Sequence, residues 1–283
     1  MILVDLNQVM ISNMMAQIGN HTDALLDEGM LRHMILNTLR ANRKKFNNEY
    51  GELIICCDDK NYWRRKVFPY YKAGRRKNRE ESELDWNMIF NSLNKIKAEI
   101  AKFFPYKVIQ IETAEADDII GTIVHMEGKE LNVGEPILIL SGDKDYIQLH
   151  TYANVSQYDP TRKRWIRHEN PEQFLYEHII RGDAGDGVPN VLSADNTFVT
   201  GSRQKPITKK RLVEWKEIPT RPTEVERNFH RNKALIDLRD IPQDIKQQVV
   251  DKYEYDDGKD RSQLLNYFIK NKLRNLMENI SEF

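Results

Sequence analysis

Cysteine is nearly missing from this chain: 283 residues hold only Cys56 and Cys57, and these two are adjacent. Neighbours in a strand point to opposite faces, so the pair is expected as two core thiols rather than a disulfide. A chain without disulfides suits a reducing cytoplasm. Long apolar runs are missing too, so no segment is expected to cross a bilayer. Asp5 interrupts the first ten residues, which argues against a signal peptide. Net charge is lacking as well, because 43 basic residues face 43 acidic ones. Bulk charge therefore selects no partner; only its distribution can. The seven histidines show no ligand-like spacing, which disfavours a zinc centre. No Asp-x-Asp-x-Thr stretch supports a phosphatase with an aspartyl nucleophile, and there is no internal repeat or low-complexity tract. What remains is 40% hydrophobic and 30% charged, the composition of a soluble globular protein of one large domain or two modest ones.

Periodicity supplies the fold class. "MILVDL", "ELIICCDD", "YKVIQI" and "PILIL" are short apolar runs of strand length. Between them, Gly29–Phe46 carries Met30, Met34, Ile35 and Leu39 at helical spacing. Leu84–Phe104 does the same through Leu84, Met88, Ile89, Leu93, Ile96 and Ile100. "EADDIIGTIVHM" is expected as a helix with acids in its first turn, and "NVSQYDPTRKRWIR" as a strand and hairpin. Strands alternating with helices predict an α/β fold with a mostly parallel sheet flanked by helices. After about Asn170 the pattern is one of short helices and loops. The expected division is therefore an α/β core over residues 1–169 and a helical region over 170–283.

Charge is concentrated in one place. Lys60 to Arg79 holds nine Lys or Arg and no acid, interleaved with Tyr62, Trp63, Phe68, Tyr70 and Tyr71. That mixture suits phosphates and stacked bases better than a plain solvated face. Pro69 and Gly74 make the run a poor continuous helix. Arg203, Lys205, Lys209, Lys210 and Arg211 form a second cluster.

The acids answer to topology. Three expected strands end at Asp5, Asp58 and Asp143, with Asp145 just beyond; Glu115, Asp117 and Asp118 open the helix after the other strand. Taken singly, each has an ordinary explanation as a turn or helix-start residue. In a parallel sheet, however, all carboxyl ends of strands lie on one edge, so these acids converge. Seven carboxylates there would repel strongly unless divalent cations neutralised them, and carboxylate oxygens are the hard ligands that magnesium or manganese prefers. Two ions about 4 Å apart can clamp the attacking and leaving oxygens of a phosphodiester displacement.

"VDLN", "CCDDKNYWRR", "YYKAGRRKNREES", "AEADDIIG", "SGDKDYIQL" and "RGDAGDGVPN" occur in the order and at roughly the spacings of the flap endonuclease and 5′–3′ exonuclease family. The chain resembles that family over essentially its whole length, and within it looks most like the ribonucleases H of T-even phages, which remove RNA primers in lagging-strand synthesis. The resemblance implies a PIN-like core, a helical arch over residues 59–83 and a C-terminal helical region holding duplex. It implies two Mg2+ ions, with Mn2+ able to substitute. Asp5, Asp58, Asp117 and Asp143 would hold the first ion, and Asp145, Asp183 and Asp186 the second. Glu115 would lie close to both, with Asp118 as a nearby or outer acid. Lys72 and Arg75, three apart on one helical face, would polarise the scissile phosphate. Arg64, Arg65, Arg76, Lys77 and Arg79 would contact nucleic acid. The segment "VPNVLSADNTFVTGSRQKPITKK" lacks the glycine-rich hairpin with which relatives bind duplex through potassium, so Arg203, Lys205, Lys209 and Lys210 are the expected phosphate contacts there. Substrates implied are RNA–DNA hybrid and duplex or flap DNA. A single-stranded-DNA-binding protein and a sliding clamp are the implied partners of a monomer. A non-catalytic binding protein on the same scaffold would need the basic arch but not every acid, and here every acid is present.

Overall fold

The computed structural model describes residues 1–20, 27–129, 134–217, 221–255 and 259–283. Its centre is a six-stranded sheet: β1 (Ile2–Asp5), β2 (Leu53–Cys57), β3 (Lys107–Gln110), β4 (Ile137–Leu140), β5 (Val155–Asp159) and β6 (Arg164–Ile166), in the order β3-β2-β1-β4-β5-β6. The first five are mutually parallel, and β6 returns antiparallel to β5 as the expected hairpin. The apolar runs of β1 and β4 are buried along their whole length because helices cover both faces.

The chain passes into α1 (Leu6–Asn20) directly from β1, then α2 (Glu28–Tyr50), α3 (Arg64–Val67), α4 (Gly74–Glu80), α5 (Trp86–Phe103) and α6 (Ala116–Glu127). The helical starts follow the capping chemistry of short polar side chains: Asp27 accepts from the Met30 amide at 2.7 Å, and Asp85 from that of Met88 at 3.0 Å. The C-terminal third carries α7 (Pro171–Arg181), α8 (Lys209–Glu217), α9 (Thr223–Ile236), α10 (Gln243–Glu254), α11 (Leu264–Lys270) and α12 (Arg274–Met277).

Alternate strand residues feed two cores. Ile2, Val4, Ile55, Cys57, Leu138 and Leu140 face α1, α2 and α5, where Leu264, Phe268 and Phe283 also pack. Leu3, Cys56, Ile137 and Ile139 face α6, with Leu238, Ile245 and Val249 behind it. Cys56 and Cys57 are thus free, buried and on opposite faces. The C-terminal helices close both sides of the sheet, and Gln148 ties this region to the core by bonding the Ile236 carbonyl at 3.0 Å and the Leu238 amide at 2.8 Å. No helix is long and apolar enough to cross a membrane among the described residues.

Candidate metal centre

The parallel register fixes where the acids lie. Asp5 pairs with Cys56 and Val4 with Leu140, so Asp58 stands two residues past Asp5's neighbour and Ser141–Asp143 extends past β4 on the other side. β1 lies between the strands whose connections run in opposite directions, which is where ligands bind in open α/β sheets. Asp5 ends the strand and starts the helix at once, its carboxylate accepting from the Gln8 amide at 3.1 Å. Its other oxygen takes the hydroxyls of Ser141 (3.1 Å) and Tyr146 (3.2 Å). The same Tyr146 hydroxyl donates to Asp117 at 2.5 Å. Asp58 accepts from Asn7 at 2.9 Å and from the Ala116 amide at 2.7 Å, which docks the start of α6 against β2. Asp5, Asp58, Glu115, Asp117 and Asp143 line one cleft of about 440 Å³, with Lys72 and Arg75 at its side.

The electrostatics are those of too many buried carboxylates. Asp5 is pushed up to about 7, first by burial and then by Asp58 and Asp143. Burial, then Asp143 and Asp5, drive Asp117 well above the usual range, and burial with Asp143 and Asp117 does the same to Asp145. Asp58 and Asp143 are raised by burial as well. A site that resists ionisation this strongly, built from hard oxygen donors, is suited to a divalent cation such as Mg2+ or Mn2+. The donor set therefore fits the ions that the family resemblance implies.

The second group of acids comes from the loop after α7. Gly182 ends that helix at φ +68, where a Cβ would collide with the Val188 carbonyl, and the turn that follows presents Asp183 and Asp186. Asp183 accepts from the Asp186 amide at 3.1 Å. His178, in the last turn of α7, stands between Asp145 and Asp183, Nδ1 3.5 Å from one and Nε2 3.4 Å from the other. Burial alone would raise Asp183, yet the neighbouring His178 and backbone amides hold it below its ordinary value. Asp186 is held differently: it takes the Tyr71 hydroxyl at 2.8 Å and pairs with Arg75, while its backbone carbonyl receives the Lys72 amide at 2.7 Å.

Several expectations change here. Arg64 is 3% exposed and no surface phosphate contact. Its guanidinium spans Glu115 and Asp118, both at 2.8 Å, and donates to the Leu235 carbonyl. Asp118, expected as a nearby or outer acid, is fully buried: its Oδ2 accepts from the Trp63 indole at 3.0 Å and the Glu115 amide at 2.9 Å, Arg64 lies 2.8 Å from Oδ1, and it closes a capping box without lining the cleft. Glu115 lines the cleft but is engaged by Arg64, Tyr71 and Lys72, and Lys72 and Arg64 keep it ionised against the burial that would raise it. Lys72 and Arg75 do not share a helical face. Lys72 precedes α4 in a left-handed conformation (φ +57), and the two cations meet because both reach Asp186. Among the described residues, the histidines, without ligand spacing in sequence, contribute one member to an acid cluster in space.

Arg65 is exposed and lies over the Tyr62 ring at 5.2 Å, and Arg79 lies over Phe90 at 5.4 Å, both beside the cleft. The side chains of Arg76 and Lys77 fall outside the described residues. Arg203, Lys205, Lys209 and Lys210 are exposed on the loop before α8 and its first turn. Sequence reasoning missed Tyr71, Tyr146, Asn7 and His178 as partners of the acids. Tyr146 adjoins Asp145 and Asn7 follows Asp5 by two, so their motifs carried a signal; nothing marked His178.

The pattern for the 5′–3′ exonuclease N-terminal resolvase-like domain matches residues 2–177, and that for the C-terminal region of T4 RNase H matches residues 170–283. Ribonuclease H of Enterobacteria phage T4 is 34% identical, over 99% of this chain and 95% of its own. A 5′–3′ exonuclease of Buchnera aphidicola is 31% identical over 52% of this chain and 50% of its own. Among solved structures, the T5 5′-exonuclease with bound divalent metal ions superposes with a TM-score of 0.61 at 18% identity, covering 90% of this chain and 98% of that one. A T5 flap endonuclease in complex with DNA and metal ions gives 0.62 at 18%, covering 89% and 97%. With both parts of the sequence matched and a full-length relative at this identity, the chain belongs to the 5′–3′ exonuclease family, in the branch that carries the T4 RNase H type of C-terminal region.

Proposed function

We propose that this protein is a Mg2+-dependent 5′–3′ nuclease that hydrolyses RNA paired with DNA and trims duplex or flap DNA, the activity that clears RNA primers from lagging strands. The observation that carries this reading is the convergence of Asp5, Asp58, Asp117 and Asp143 in one cleft beside Lys72 and Arg75. When bound, the two ions supply the charge that lowers the pKa of the attacking water and balances the charge developing on the phosphate. Asp5, Asp58, Asp117 and Asp143 hold the first ion, and Asp145, Asp183 and Asp186 the second. Tyr146 keeps Asp5 and Asp117 at a fixed separation. Lys72 and Arg75, now paired with Glu115 and Asp186, turn to the scissile phosphate and favour its transition state over its ground state. The P–O3′ bond breaks and the product keeps a 5′-phosphate. Arg65 and Arg79 beside the cleft, and Arg203, Lys205, Lys209 and Lys210 beyond it, neutralise backbone phosphates without reading bases. The protein acts as a monomer in the cytoplasm, with a single-stranded-DNA-binding protein and a sliding clamp as its partners on replicating DNA.

The test uses a 5′-labelled RNA–DNA hybrid and a 5′-flap duplex, each with Mg2+ and with EDTA. Asp143→Asn keeps size and removes charge, so it should fold while turnover falls by orders of magnitude. Near-normal rates for Asp143→Asn and Asp5→Asn in saturating Mg2+ would sink the two-ion reading. A binding protein without catalysis would retain substrate in every arm and cut it in none.

A further inference from the structure

Among the described residues, His178 is the one imidazole grouped with the acids, and the chemistry proposed for the cleft gives it no task. It sits at the end of α7, its ring packed edge-on to Phe174 at 5.8 Å, with 15% of the side chain exposed. Each ring nitrogen faces a different carboxylate, Asp145 at 3.5 Å and Asp183 at 3.4 Å. Those distances exceed those of a good charged hydrogen bond, about 2.7–2.9 Å, so the ring is placed between the acids without being clamped to either. One donor atom from each of the three lies within 4.8 Å of the others. Ligands about 2.1–2.3 Å from a shared ion stand roughly 3–4.5 Å apart, so a small closure brings all three onto one cation.

We infer that His178 is a nitrogen ligand of the second metal position, with Asp145 and Asp183, and that it tunes this position toward first-row transition ions over Mg2+. Imidazole nitrogen suits the first-row transition ions, Mn2+ least strongly among them, whereas Mg2+ holds to oxygen and to its own waters. The inference rests on the second-ion assignment proposed above and adds a donor and a preference to it.

The probe is Mn2+ alone, added to the full chain without nucleic acid. Loss of the free-ion electron paramagnetic resonance signal gives stoichiometry and affinity, and pulsed measurements detect nitrogen bound directly to manganese. Two ions per chain are expected, with imidazole nitrogen coupling from one. His178→Gln keeps a hydrogen-bonding group of similar reach; it should abolish the coupling and weaken one Mn2+ about tenfold or more, while Mg2+ competition shifts less than about threefold. Two bound Mn2+ without nitrogen coupling in the unaltered protein would overturn the inference and leave the acid sites standing. Failure to bind Mn2+ at all would overturn both.

Discussion

Arg64 shows how a residue type can be identified correctly and its role misjudged. Its place in a run of nine cations suggested phosphate contact, but it is flanked by Trp63, whose indole is drawn toward the same Asp118. A cation this buried persists because Glu115 and Asp118 both accept from it. Removing it strands two carboxylates in a dry site. Arg64→Ala should therefore cost about 3–5 kcal/mol, the scale for breaking a buried ion pair by deleting one partner. Urea denaturation would check it, and a loss below about 1 kcal/mol would return Arg64 to the surface contacts. Tyr146 and Tyr71 are subtler. An aromatic residue next to an acidic motif usually reads as core, and here the ring is core while the hydroxyl holds ligands in place.

At the scale of elements, most strands and the long helices were legible because their apolar spacing is strong. β2 and β4 fall within their expected runs, and α5 starts two residues after the expected Leu84 because Asp85 caps it. α1 went unread although Leu6, Val9, Met10 and Met14 have helical spacing, because no turn residues separate it from β1. Asp5 serves as both strand end and helix cap, which erased the punctuation. The arch region shows a different limit. The run did break at Pro69 into α3 and α4, with Gly74 opening α4 rather than interrupting it, but the left-handed Lys72 could not be foreseen from a lysine. Lys72→Ala should still lower the single-turnover rate far more than duplex affinity, since the charge it meets is greatest in the transition state. Unchanged cleavage by the bound complex would make Lys72 a docking residue only. α8 is tested by salt. Lys209 and Lys210 are exposed, and the Glu214 carboxylate 3.8 Å from Lys210 is a weak surface partner. Neutralising both should flatten the slope of log affinity against log salt by about two on B-form DNA. That slope would be measured on a flap duplex in an Asp143→Asn background, and an unaltered slope would assign the cluster to ordinary surface.

For the whole molecule, the raised acids make stability depend on pH and metal together. Asp5, Asp58, Asp117, Asp143 and Asp145 hold protons in the metal-free fold that the unfolded chain releases near pH 4. The native state then binds more protons, so these groups stabilise fully below about pH 4 and lose that contribution as pH rises; for Asp5 the loss is complete once pH passes about 7. Glu115 and Asp183 run the other way, helping above about pH 4 and fading as pH falls through their lowered values. In EDTA, the melting temperature should therefore decline from about pH 5.5 to 8. Ligating carboxylates must be ionised, so Mg2+ should raise the melting temperature more at pH 8 than at pH 5.5. Equal increments at the two values would separate the acids from the metal.

The anchoring of Arg64 also has a mechanical consequence. Its bonds to Glu115, Asp118 and the Leu235 carbonyl, together with the amide of Lys72 on the Asp186 carbonyl, fasten residues 64–72 to three separate parts of the chain. Any swing of α4 must then pivot beyond Lys72, at Ala73–Gly74, and first release the Arg75–Asp186 pair, while α3 stays put. Deuterium uptake should record that pivot as a step: the amides of Lys66 and Phe68, bonded within α3, exchange on the timescale of the sheet, and those past Gly74 exchange sooner.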